Sequence, residues 1–256
     1  MRQPNVIALW CFLAPPNLLF FAPSCFQASA KGDIVTNPEY LQPGYLVESD
    51  DPEIISFARA AAGSGGDEIQ RMIAVYLAVR DQVIYDPYDC LGRPESCSAK
   101  RALQRRRGFC IPKAALLAAC ARALGVPARL GYADVRNHLA SKRLLVANNG
   151  DVFRWHSYTE LFLEGKWVKA TPAFDIALCD RAGIHPLEFD GRTDSLFHSF
   201  DRQDRKHMEY VADHGVFAEV PYDLARERWA RDCPAVLDDN YAAGARAFAE
   251  EVIKPE

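Results

Sequence analysis

The chain has 256 residues, 30 Lys and Arg against 34 Asp and Glu, 49% hydrophobic and 25% charged residues, with 16 Pro, 15 Gly and 8 Cys. These are the proportions of an ordinary globular chain, and they exclude disordered, collagen-like, coiled-coil and multi-span membrane classes. A net charge of -4 gives no electrostatic reason to expect nucleic acid or an anionic membrane surface as partner.

Residues 1–30 carry Arg2, an apolar stretch broken at Pro15-Pro16, and a small-residue end at Ala28-Ser29-Ala30. They read either as a secretory signal peptide or as a misassigned extension ahead of a start near Val35. The first reading puts the protein in the periplasm or outside the cell and the second in the cytoplasm, and both stay open. A short Ala-rich helix is expected over about 51–62. Behind an Asp67 cap, Ile69, Met72, Ile73, Tyr76, Val79 and Val83 recur at helical steps and predict an amphipathic helix over 67–83. Ser98 caps a basic helix expected to run to Arg107 and stop at Gly108. Cys110–Leu124 is almost wholly apolar and closed by Gly125 and Pro127, so it is expected to be a central, buried helix.

The period then changes. Ala128–Val135, Val152–Leu163 and Lys166–Thr171 predict strands, the last two forming a hairpin at Glu164-Gly165. On the middle strand residues 156, 158, 160 and 162 share a face. A final helix is expected over roughly 238–253. Helices, then antiparallel strands, then helical extensions make an α+β chain, with a core over 35–190 and a C-terminal extension over 191–256.

Gly108-Phe109-Cys110-Ile111-Pro112 puts a thiol at the amino end of the buried helix, where the dipole and unpaired N–H groups favour a thiolate. The blander alternative is a small core hydrophobe. A thiol nucleophile needs an imidazole to protonate the leaving amine, and His156, beside Trp155 and Tyr158 on the hairpin, is the candidate. The other histidines have no metal-ligand spacing, and no cysteine pair has the C-x-x-C spacing, so no metal site is expected.

Gly108-Phe109-Cys110, followed by Gly125-Val126-Pro127-Ala128-Arg129, resembles the nucleophile region of the transglutaminase-like superfamily. His156-Ser157-Tyr158-Thr159-Glu160 with Gly165 and Trp167 is similar to that superfamily's histidine hairpin. The resemblance implies a papain-like fold, Cys110 as nucleophile and His156 as acid and base. It also implies an aspartate four residues after Trp167, where this chain has Thr171 instead. Asp175 is the favoured replacement, and Thr171 and Asp134 are the alternatives. A hydroxyl can orient an imidazole but cannot stabilise its charge as a carboxylate does. Glu160 is expected to take a structural role, pairing with Arg129 or another buried cation.

Gln104 lies six residues ahead of Cys110, an offset treated as coincidence. The backbone N–H of Cys110 is the expected oxyanion donor, and Asn137-His138 is expected to cap a strand or line a groove. The expected activity is cysteine-dependent acyl transfer on a peptide or carboxamide bond through a thioester, with hydrolysis favoured over transamidation. The partner is a peptide or protein substrate, and no cofactor follows. Two alternatives remain: a non-catalytic module of the same fold binding peptide or glycan, and a disulfide-linked secreted protein using Cys90 and Cys97.

Overall fold

The computed structural model describes residues 37–89, 91–138, 140–196, 201–205, 207–242 and 248–251. The segment expected to be a leader or misassigned extension lies outside them, as do Cys90 and much of the helix expected over 238–253.

Helices α1 (Pro52–Ala62) and α2 (Glu68–Gln82) begin where their caps require. The Asp51 carboxylate accepts the Glu53 and Ile54 N–H groups, while Asp67 and Gln70 form a reciprocal capping box. Ile69, Met72, Tyr76 and Val79 make the buried face of α2, as their spacing predicts. Helix α3 (Ala99–Arg105) is shorter than expected. The chain turns through a left-handed Arg106 (φ 51), and Arg107–Gly108 (β2) pairs in parallel with Ile84–Tyr85 (β1).

Helix α4 (Cys110–Ala123) runs through the core, and every residue from Ile111 to Arg122 is buried. Burial extends even to its two cations. The Lys113 ammonium donates to the carbonyls of Arg80 (2.8 Å) and Val83, filling acceptors that the end of α2 leaves open. The Arg122 guanidinium ties together the carbonyls of Ala128, Gln42 and Ala218. Both charges therefore act as clamps between segments.

Against α4 lies a four-stranded antiparallel sheet in the order β5-β4-β3-β6, built from β3 (Ala128–Asn137), β4 (Val152–Leu163), β5 (Lys166–Ala170) and β6 (Met208–Phe217). The Thr159 hydroxyl of β4 donates to the Ala114 carbonyl (2.8 Å), which fixes the helix on the sheet. The α+β class is as expected, with the hairpin at the expected place. After residue 190 the described helices include α7 (Tyr222–Asp232), α8 (Asp239–Ala242) and α9 (Phe248–Glu251). Ahead of those helices the chain supplies β6, an edge strand of the same sheet that its sequence pattern did not mark. Two further short helices, α5 (Lys142–Ala147) and α6 (Ile176–Ala182), stand in stretches for which no element was predicted. Among the described residues no helix is long and apolar enough to cross a membrane.

Gly131 of β3 stands opposite Tyr158 of β4, and a Cβ there would lie 2.2 Å from the tyrosine ring. The missing side chain is the seat of that ring. Gly131→Ala is expected to cost about 1–3 kcal/mol through overpacking, read as a lower urea midpoint with an unchanged slope. An unchanged midpoint would mean that Tyr158 moves aside freely.

Candidate active site

Cys110 is the first residue of α4, and no side chain caps that helix start. The N–H groups of Cys110, Ile111 and, from the facing strand, Ser157 are directed at the sulfur. They favour the thiolate, yet burial outweighs them and pushes the thiol up to about 11. Ser157 directly follows His156, so the strand that carries the histidine touches the sulfur through its backbone. Cys110 and His156 line one cavity of about 100 Å³.

His156 is itself buried, and burial alone drives its imidazole down to about 4. Its Nε2 has no hydrogen-bond partner. The same holds for the Thr171 hydroxyl, and the two residues line a second void of about 10 Å³. That is roughly the space of one water molecule. The backbone at Thr171 is pinned, since the Tyr76 hydroxyl donates to its carbonyl (3.1 Å) and to that of Leu187 (2.9 Å).

The favoured aspartate makes no hydrogen bond to Nε2 of His156. Asp175 caps α6, with one oxygen accepting the Leu178 N–H (2.9 Å) and the other the Tyr85 N–H (2.9 Å). It is buried. It reaches Nε2 of His156 no more than any other group does. Asp134 is also engaged. One of its oxygens accepts the Trp155 N–H (3.1 Å) and meets His214 Nε2 (2.7 Å). Trp155 has a left-handed backbone (φ 58), and the β3–β4 register shifts there, so that Arg154 and Trp155 both stand opposite Asp134. This is a β-bulge immediately before His156. The Trp155 ring stacks on His214 at 4.6 Å.

Other expected residues find simpler roles. Glu160 accepts from Arg129 (2.6 Å), whose guanidinium lies over the Trp167 ring at 4.1 Å. Gln104 donates to Glu53 on the surface and takes no part in the site. Asn137 lines the cavity, and His138 meets Glu209 at 3.4 Å. Cys97, Cys120, Cys179 and Cys233 are buried free thiols. Sequence reasoning missed the Ser157 N–H and the far wall of the cavity, where Trp229 and Val236 stand. It also missed Lys113, whose position one turn after Cys110 in an apolar helix was a usable signal.

Residues 55–172 match the model of the Transglutaminase-like superfamily, which bears out the resemblance drawn from the two motifs. The match contains Cys110, His156 and Thr171 and stops short of Asp175. No curated protein matches the chain. Among solved structures, a "Putative Cysteine Protease" from Cytophaga hutchinsonii aligns with 18% identity and a TM-score of 0.41, over 70% of this chain. This chain spans 53% of that protein's length.

Proposed function

From the premise that residues 55–172 are a transglutaminase-like core, we propose that the protein is a cysteine-dependent acyl-transfer enzyme acting on a peptide or carboxamide bond. The observation that carries this reading is the single cavity lined by a helix-start thiol and a hairpin imidazole. Cys110 Sγ attacks the carbonyl carbon while its proton passes to His156. Nε2 is buried without a partner, and in this reading Nδ1 is the nitrogen that serves the thiol. The Cys110 N–H receives the oxyanion. His156 then gives the proton to the departing amine, leaving a thioester. Water, deprotonated by the same imidazole, releases the acid. Hydrolysis is favoured over transfer to an amine because water is always present.

Burial keeps both partners neutral at rest, so the proton moves as the carbon–sulfur bond forms rather than beforehand. Thr171 takes the position of the third member, its hydroxyl orienting the imidazole directly or through one water. It supplies no counter-charge. That lack also favours a second reading, a peptide- or glycan-binding module of the same fold without turnover.

Trapping separates the two. Incubation with activated acyl esters and a broad peptide panel, followed by peptide mapping, is expected to give an acyl adduct on Cys110 that neutral hydroxylamine removes. No adduct, or equal labelling of the buried Cys97 and Cys120, rejects the enzyme.

A further inference from the structure

The cavity shared by Cys110 and His156 has mostly apolar walls. Phe109, Leu144, Phe153, Trp155, Met208 and Trp229 line it, and no Asp, Glu or Lys does so among the described residues. The one guanidinium at its edge, Arg154, is already held by Asp232 (3.1 Å) and lies 3.7 Å from Asp134. The Asn148 amide donates to the carbonyls of Gly150 and Val152. A charged side chain entering this space would lose its water and find no counter-ion.

Size narrows the choice. An apolar protein cavity of roughly 150 Å³ admits benzene, and this one measures about 100 Å³. It suits a branched aliphatic chain better than an aromatic ring. We propose that the cavity is an acyl-donor subsite for an uncharged aliphatic side chain of valine to leucine size, adjacent to the carbonyl that Cys110 attacks. This rests on the reading of Cys110 as nucleophile. Met208, Trp229 and Val236 all follow Pro172, so part of the wall is supplied by chain outside the segment that matches the superfamily.

The test uses the full chain and N-acetyl-aminoacyl chloromethyl ketones carrying Ala, Val, Leu, Phe, Lys or Glu side chains. The readout is the second-order rate of Cys110 alkylation. One methylene in an apolar pocket is worth roughly 10- to 200-fold, so Val and Leu are expected to react at least about tenfold faster than Ala, Lys and Glu, with Phe behind Leu. Met208→Trp, which fills the cavity, is expected to lower the Leu-to-Ala ratio about tenfold, and Leu144→Phe provides a second such variant. Equal rates for all side chains, or a preference for Lys or Glu, overturn the subsite while leaving Cys110 a nucleophile. Alkylation of Cys110 no faster than that of Cys120 by every reagent overturns the nucleophile itself.

Discussion

Cys110→Ala is expected to lower kcat/KM on any substrate by roughly 10⁴-fold or more, since loss of a nucleophile removes the covalent route entirely. His156→Gln, which keeps the shape but not the basicity, is expected to cost about 10² to 10⁴. The pH profile distinguishes this site from an ordinary thiolate–imidazolium pair. His156 must be neutral to accept the thiol proton, and burial holds it down to about 4; the thiol is held up to about 11. Activity should therefore be flat between limbs near those values. Thr171→Asp places a carboxylate at the void that residue 171 shares with His156, and a neighbouring opposite charge raises a pKa by about 1–3 units. Its acid limb should rise by that amount. A wild-type limb near 6.5, or no movement in the variant, contradicts the neutral buried pair.

Acid unfolding must be followed in parallel. His156 and His207 both have folded values lowered to about 4 by burial, below the ordinary value of about 6.5. The unfolded chain therefore binds more protons as pH falls from 6.5, and stability declines across the window down to about 4. Circular dichroism over that range separates loss of base from loss of fold.

Lys113→Met carries the second large effect. The ammonium is completely buried, and desolvation lowers it to about 7, with the charges of Asp175 and Asp81 opposing the shift. In the unfolded chain it titrates near 10.4. Between those values the unfolded state holds the extra proton, so Lys113 makes stability rise with pH there, by about 1.4 kcal/mol per pH unit at most. Methionine removes this dependence and leaves the carbonyls of Arg80 and Val83 without their donor, at about 1–3 kcal/mol each. The deficit of the variant should be small near pH 6.5 and should widen toward pH 9 in urea titrations. A deficit independent of pH would mean that Lys113 stays charged when folded.

The legible parts of the fold were those where local chemistry and tertiary need agree. Asp67 and Gln70 announce α2, the apolar run announces α4, and Glu164-Gly165 closes the hairpin. Strand β6 was not legible because it is an edge strand in which Met208 alone is fully buried, so it lacks the alternation that burial of one face imposes. Of the candidate site, Cys110 and His156, which line one cavity, could be singled out from a helix start and a hairpin. Asp175 could not, because a carboxylate serving a helix cap and one serving an imidazole look alike in sequence, and only the Leu178 and Tyr85 N–H groups separate them. The walls of the cavity were equally silent, since Phe109, Phe153 and Trp229 converge only in the folded chain.

The bulge ahead of His156 carries a further consequence. A regular strand is a ruler with two sides, and an extra residue resets its zero. By counting alone Phe153 and His156 belong on opposite sides of β4, yet both line the same cavity because Arg154 and Trp155 share one partner position. Regular pairing with every residue kept would turn Val152, Phe153 and Arg154 over while leaving His156 in place, whereas deletion of one bulge residue would keep Phe153 on the side of His156. The bulge therefore sets which side chains of β4 stand beside Cys110 and His156. Asp134, grasping both Trp155 and His214, holds that offset in position.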